Sequence, residues 1–134
     1  MTVPTEAGFA EMAKHATGTG SPVAFTFIAV GEGTGQDATD TQLADEILTG
    51  DSVGLERDTA GTISTVQTTV ANDTGSWVHT FTATGTKTVR EAGIFNLATE
   101  DAGDMLIVGD LSPTAAMVSG DTLTLTMKCQ FKAD

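Results

Sequence analysis

The glycine-rich stretch at residues 31–35, with the sequence GEGTG, is the segment whose residue types most resemble a phosphate-binding loop. A dinucleotide-binding loop carries G-x-G-x-x-G, and a Walker loop carries Gly-Lys-Ser or Gly-Lys-Thr, because backbone N–H groups and a lysine hold the phosphates. Here the spacing is G-x-G-x-G, no lysine is present, and Glu32 and Asp37 would repel a phosphate. The stretch therefore predicts a tight turn between a strand and a helix, in which glycine supplies positive φ angles.

The other reactive side chains are dispersed along the chain. His15, His79 and the single cysteine, Cys129, do not have the spacing of a metal-ligand set. Two aspartate pairs flank predicted turns: Asp37 with Asp40, and Asp101 with Asp104. Turn formation accounts for both pairs, and a loosely held cation is the other interpretation. No serine lies in a G-x-S-x-G elbow. We therefore expect no catalytic residue, no cofactor and no metal, and hence no enzyme.

Glu91, in the string TVREAGIFN, is the polar residue with the least certain environment. It lies in a predicted strand between Val89 and Gly93, with Arg90 on the opposite face. One interpretation is an exposed acid on a strand. The other is an inward or interfacial carboxylate that accepts backbone N–H groups at a turn or subunit contact. Gly93 fits either a bulge or a close backbone approach.

The N-terminal third predicts two short helices around one strand. Residues 5–16 read as a helix capped by Thr5, and its apolar positions recur on one face: Phe9, Met12, Ala13 and Ala16. Residues 23–30 are apolar on both faces, as expected of a covered strand. Thr39 and Gln42 then have the form of a capping box, which predicts a second helix that buries Leu43 and Ile47.

From about residue 52 the pattern predicts strands, at 52–58, 62–71, 76–83, 86–95 and 105–109. In the third of these, Trp77, His79 and Phe81 share a face. In the last strand of the chain, apolar residues alternate with polar ones, at Leu123, Leu125, Met127, Cys129 and Phe131. This alternation predicts one buried and one wet face.

We therefore expect a mainly β fold, an antiparallel β-sandwich or barrel with two short N-terminal helices. Residues 1–134 should form one domain, with residues 1–20 as an N-terminal arm and short helix.

The charge balance excludes some partners. The chain has 18 acidic and 6 basic residues, for a net charge of −12. Binding of nucleic acid through its phosphates needs clustered Lys and Arg, whereas the six bases here are scattered. No apolar run approaches the ~18 residues of a membrane helix, and the N-terminus lacks the pattern of a secretory signal.

The acidic surface serves solubility, or it is adapted to molar salt, where the Debye length is about 3 Å. Scarce lysine and few large aromatics favour a halophilic source.

Five strings occur in a suggestive order: TEAGFAEMAKHA, FIAVGEGTG, DTQLADE, REAGIFN and MLIVGDL. Together they resemble the N-terminal module of tail-collar and tail-fibre proteins of tailed phages. In that module a short helix is followed by A-V-G-[DE]-G, T-x-L-x-x-E and E-x-G-[IL]-F-[DN]. Small β-rich virion proteins of bacterial and archaeal tailed viruses carry similar strings. In the family an arginine often follows T-x-L-x-x-E, whereas ILTGD follows it here.

The resemblance implies a virion structural protein of a tailed virus, assembled in the host cytoplasm. Its expected partners are further copies of itself, in a homo-oligomeric ring of three or more, and other virion proteins such as the major capsid or tail proteins. The expected role is a capsid decoration or turret-type component. The alternatives are a tail, collar or baseplate component and, from another class, a carbohydrate- or cation-binding β domain. The candidate assembly or turn residues are Gly31, Gly33, Trp77, Glu91, Gly93 and Phe95.

Overall fold

The computed structural model describes residues 2–132. Its elements in chain order are β1 Thr2–Pro4, α1 Glu6–Thr17, β2 Phe27–Gly31, a single 3-10 turn Thr49–Asp51, β3 Asp58–Thr59, β4 Thr62–Val66, β5 Thr74–Thr82, β6 Lys87–Phe95, β7 Met105–Met117 and β8 Thr122–Gln130. Residues 1, 133 and 134 belong to the predicted domain 1–134 and lie outside the described residues. Residues 2–4 of the predicted N-terminal arm form the strand β1.

The strands form two antiparallel sheets. Sheet A has the order β1-β7-β6-β2-β3 and sheet B the order β4-β5-β8. The mainly β, antiparallel prediction is confirmed. The barrel alternative is wrong, because the strands described in residues 2–132 make two separate sheets that do not close on each other.

The main hydrophobic core lies between the two sheets. Sheet A contributes Ile28, Val30 and Ile94, and sheet B contributes Trp77 and Met127, all buried in one cluster. Both faces of β2 are covered, as the apolar run predicted. Burial of side chains of this size stabilises the fold by about 1.5–3 kcal/mol each, so the contact between the sheets is the main source of stability.

A smaller cluster covers the outer face of sheet A. It contains Ala29, Leu43, Phe95, Met105 and Val108. A register shift between Val89 and Glu91 makes this second layer possible. Because the shift changes the alternation of β6, Val89 faces the main core, whereas Glu91 and Phe95 turn outward beneath the loop that follows β2.

Helix α1 has the predicted span, and its Thr5 cap accepts the N–H of Gly8. Its predicted buried face is wrong at Phe9, Ala13 and Ala16, which are exposed, whereas Met12 is partly buried against the main core. Phe9 is 55% exposed, whereas Gly8 and Glu11 face the protein. A Cβ atom at Gly8 would lie 2.7 Å from the Cα of Leu106, so the absence of a side chain is what lets the helix approach β7 so closely. Tertiary contact, not the apolar period, therefore set the orientation of the helix.

The predicted second helix is also wrong, although Leu43 and Ile47 are buried as expected. The segment runs beside the end of β2, where Glu32 N–H donates to Asp45 and Ile47 N–H donates to Val30. Its backbone groups bond to a neighbouring strand and to a side chain described below, and these partners replace the helical i to i−4 bonds.

The β predictions from residue 62 onward are largely confirmed, with different ends. The predicted strand 52–58 is mostly turn, and only Asp58–Thr59 pairs, with β2. In β8 the alternation is confirmed, except that the strand ends at Gln130 and Phe131 is 43% exposed. Within the described residues, no helix has both the length and the apolar character needed to cross a membrane.

Candidate functional site

The Glu91 carboxylate is fully buried and holds a loop against sheet A. It accepts hydrogen bonds from the N–H groups of Gly33 (3.1 Å), Ala44 (3.1 Å) and Asp45 (2.8 Å), and from the side-chain amide of Gln36. We name Glu91 and the segment 31–46 that it binds the Glu91 clasp. The inward interpretation of Glu91 is thus the one the structure supports. A buried carboxylate with several N–H donors needs no cation to be satisfied.

The glycines of the clasp are required by close packing. A Cβ atom at Gly33 would lie 2.5 Å from the Cβ of Ala44, and one at Gly31 would lie 2.5 Å from the carbonyl oxygen of Asp45. Only Gly35, of the three in the GEGTG stretch, has a positive φ, at 80°. The predicted positive-φ turn is therefore correct at Gly35, whereas Gly31 and Gly33 leave room for the carboxylate and for segment 44–45.

A second buried carboxylate lies at the end of the same segment. Glu46 pairs with Arg57 in a bidentate contact, with Nε–Oε1 and Nη2–Oε2 distances of 2.8 Å each, and neither side chain is exposed. The Nη1 of Arg57 also donates to three carbonyl groups of the β6–β7 connection, and its guanidinium lies 3.8 Å from the ring centroid of Phe95. The pair therefore fixes a second loop over the outer face of sheet A.

Sequence reasoning did not find the pair of Glu46 and Arg57. In the sequence, Arg57 is one of six scattered basic residues. Arg57 follows the apolar residues Val53 and Leu55 and comes directly before the next strand. This position was a weak sign that Arg57 is buried. The three carbonyl groups that it contacts belong to residues 97–102, about forty positions away, so no local pattern could reveal them.

Five of the six candidate residues converge on the outer face of sheet A: Gly31, Gly33, Glu91, Gly93 and Phe95. A Cβ atom at Gly93 would lie 3.0 Å from Met105 Sδ and 3.0 Å from the ring of Phe95, so this glycine leaves room for neighbouring side chains. Trp77 lies apart, in sheet B, where it is 6% exposed and its indole N–H donates to the carbonyl of Phe25 at 2.7 Å. Trp77 is therefore not an exposed aromatic platform. Five of the six residues are buried, and Gly33 is half-buried.

An open groove of about 490 Å³ lies beside β4. We call it the β4 groove. Residues of α1, the segment before β2, β4, the β4–β5 turn, β5, β7 and the position after β8 line it. They are Met12, His15, Ala24, Phe25, Ile63, Ser64, Thr65, Asn72, Gly75, Trp77, Leu106 and Phe131. Ile63 is 45% exposed and Phe131 is 43% exposed, so apolar side chains reach solvent at its rim.

One end of the β4 groove is fixed by the turn between β4 and β5. The Asp73 carboxylate accepts the N–H groups of Thr68, Thr69 and Val70, at 2.8, 2.8 and 3.0 Å. Burial acts to raise the pKa of Asp73, but these N–H groups and the amide of Gln130 outweigh it and hold that pKa well below its usual range. Asp73 is therefore charged near neutral pH, and its carboxylate accepts the N–H groups of the turn at this end of the groove.

Two further reactive side chains of the described residues are His79 and Cys129. His79 lines a polar pocket of about 360 Å³, with its Nε2 3.7 Å from Asp58 and its Nδ1 buried without a partner among residues 2–132. Cys129 is buried as predicted, and burial raises the pKa of its thiol. Within residues 2–132, no group of three or more His, Cys, Asp or Glu side chains could hold a metal ion.

In comparisons with known proteins, no family model matches this sequence, and no curated protein is significantly similar to it.

Proposed function

We propose that this chain is a structural protein of a tailed-virus particle, acting as a capsid decoration or turret-type component. The observation that carries the proposal is spatial. Three strings that give the sequence its resemblance to phage tail-collar and tail-fibre modules meet in one place: GEG at residues 31–33, the segment 41–46 and the segment 91–96. Strings that are separate in sequence thus form one hydrogen-bonded unit around Glu91.

The contacts of this unit give the resemblance a physical meaning. The glycines of the first string leave space for the carboxylate of the third, and the N–H groups of Ala44 and Asp45 in the second string bind it. Each string therefore supplies a group that the other two strings need: space, backbone N–H donors or the carboxylate. This interdependence supports a shared module over a chance coincidence of three weak motifs.

Two further features suit a protein that works by docking. The apolar β4 groove and the free edge of β4 offer a surface to another protein. In contrast, the carbohydrate-binding alternative relied on Trp77, whose ring is buried. The tail, collar or baseplate role remains the second candidate, because the same strings occur in tail proteins.

The test is to locate the chain in purified particles of the virus that encodes it. An electron-microscopy map, with quantitative mass spectrometry of the same particles, should place the chain on the capsid at hundreds of copies per particle. Single or low double-digit copies at the tail would favour the second candidate. If complete, intact particles lacked the chain, both the capsid role and the tail role would be wrong.

The acidic surface gives a separate prediction about the source. If it is adapted to molar salt, lowering the salt from about 3 M to about 0.1 M should destabilise both the fold and any assembly, because like-charge repulsion is then less screened. Thermal unfolding at both salts measures this. Equal midpoints would contradict a halophilic origin and leave the structural role untouched.

A further inference from the structure

The edges of the two sheets differ in how they are protected against pairing with another chain. A free strand edge presents unpaired N–H and C=O groups, and proteins protect such edges with proline, charge, short length or a cover. In sheet A, β1 is three residues long and ends in Pro4, and β3 is two residues long and begins with Asp58. In sheet B, β8 carries the exposed Lys128 and lies near β1 and β7.

Strand β4 has none of these protections. It is five residues long, its sequence TISTV contains neither proline nor charge, and four of its five residues are exposed. Within residues 2–132 it pairs only with β5, from Thr62 opposite Val78 to Val66 opposite Thr74. Its outer backbone edge is therefore open to another extended strand.

The β4 groove continues this edge inward. Ile63 pairs with Trp77 in the ladder, and both residues line the groove, so one face of β4 looks into the space between the sheets. A strand added at β4 would extend sheet B and place its own inward side chains over Met12, Phe25 and Phe131. The occupant that fits is thus an extended strand, not a small polar ligand.

Charge indicates which strand this is. The chain has a net charge of −12, so two copies repel each other over most of their surfaces. The segment from Thr59 to Asn72 contains no Asp, Glu, Lys or Arg, and none of the residues that line the β4 groove is of these four types. This face is where two like-charged copies can meet, whereas a basic partner would be attracted to the acidic surfaces elsewhere.

We propose that two copies of this chain pair through their β4 strands, antiparallel about a two-fold axis, so that each Ile63 covers the mouth of the joined grooves. Pairing of this kind is isologous, because the same patch serves both subunits. It joins two three-stranded sheets into one of six strands. The inference does not depend on the virion role, and a two-fold dimer is a different assembly from the ring of three or more expected from the resemblance.

The first experiment uses the full chain without substitution. Sedimentation from about 1 μM to about 500 μM should reveal a reversible monomer–dimer equilibrium. The dimer should be tighter in about 3 M than in about 0.1 M salt, since screening weakens the repulsion. Hydrogen exchange at the same concentrations should show that the outward-facing amides of residues 62–66, which do not bond to β5, become protected only when the dimer forms. A monomer throughout, or a dimer without this protection, would overturn the proposal.

A matched pair of variants tests the patch itself. Ile63→Lys and Val118→Lys each replace an exposed apolar residue by the same positive charge, and Val118 is 53% exposed in the β7–β8 turn. Ile63→Lys should weaken the dimer about tenfold or more, and Val118→Lys should change it less than about twofold. Equal weakening would contradict pairing at β4. If Ile63→Lys does not fold, the hydrogen exchange of the unsubstituted chain decides.

The same measurement identifies a different occupant. Should the outward-facing β4 amides stay unprotected at all concentrations but become protected on addition of a purified virion protein, the edge serves that partner and self-pairing is wrong. The location of the chain in particles is measured separately, so this proposal and the virion proposal can fail independently.

Discussion

The Glu91 clasp and the β4 edge differ in whether their backbone N–H and C=O groups find partners inside the fold. At the clasp, the N–H groups of Gly33, Ala44 and Asp45 are turned inward and bound by one buried carboxylate. At the edge, a whole side of Thr62–Val66 has no strand partner among residues 2–132. The first arrangement stabilises the fold from within, whereas the second is available to another molecule.

The contrast indicates where substitutions should affect stability and where they should affect association. A buried charge that loses its partner destabilises strongly, because the desolvated ion is left uncompensated. An exposed strand residue contributes little to stability, but it can dominate a contact that forms in an assembly.

The largest effect is expected for Arg57→Met. The substitution leaves Glu46 buried without its cation and removes the donor to three carbonyl groups. We expect the free energy of unfolding to fall by about 3–5 kcal/mol, measured by urea denaturation at pH 7. The control is Lys87→Met, which removes the partner of Glu32 from a half-buried pair at 2.8 Å and should cost about 1 kcal/mol or less. Equal losses in the two variants would show that the Arg57 pair has no special role.

The next effect is expected for Glu91→Gln. The variant keeps the size of the side chain but replaces one acceptor oxygen by an NH₂ group that faces other donors. A loss of about 2–3 kcal/mol is expected in the same denaturation experiment, because buried N–H groups are left without an acceptor. Arg90→Gln, at the exposed neighbouring position, should change the value by no more than about 0.5 kcal/mol. A clasp that tolerated Glu91→Gln as well as Arg90→Gln would not be held by its carboxylate.

A smaller loss is expected for Gly33→Ala. The added Cβ atom would meet Ala44 at 2.5 Å and the backbone nitrogen of Asp45 at 2.9 Å, so the segment must move away from Glu91. Overpacking of this kind destabilises by about 1–3 kcal/mol. Gly50→Ala is the matched control, since nothing lies within 4 Å of a Cβ atom there. Thermal unfolding of both variants checks the difference, and similar midpoints would contradict the close fit inferred for the loop.

The smallest effect on stability is expected at the edge itself. Ile63→Thr keeps a β-branched residue at a position that is 45% exposed, and should change the free energy of unfolding of the monomer by less than about 0.5 kcal/mol. Ile94→Thr makes the same change at a fully buried position and should lose about 2–3 kcal/mol. Denaturation in dilute solution compares them. If the two losses were alike, β4 would be part of the core and the distinction between the regions would fail.

Local patterns predicted several elements well. The capping residue Thr5 and the breaking glycine Gly18 set the limits of α1. The alternation in β8 predicted the buried face that Met127 and Cys129 occupy. These features depend on neighbours in sequence, so the sequence contains the whole cause.

The errors arose where distant residues supplied the partners. Residues 39–47 have a capping-box pattern, but their N–H groups bond to β2 and to Glu91, which lies more than forty positions away. In α1 the apolar period predicted that Phe9 would be buried, whereas the close contact of Gly8 with Leu106 turned Phe9 outward. In both cases a long-range contact outweighed a local preference of a few tenths of a kcal/mol to about 1 kcal/mol.

The amino-acid sequence by itself determined the mainly β character, the antiparallel strands, the limits of the first helix and the large negative charge, because these follow from composition and from periods of a few residues. Only the tertiary structure decided that Glu91 is buried, that Arg57 pairs with Glu46, and that β4 is left with an open edge. Each of these features depends on which distant segments come into contact in the fold. Burial of a charge and pairing of a strand are set by such contacts, and no single segment determines them.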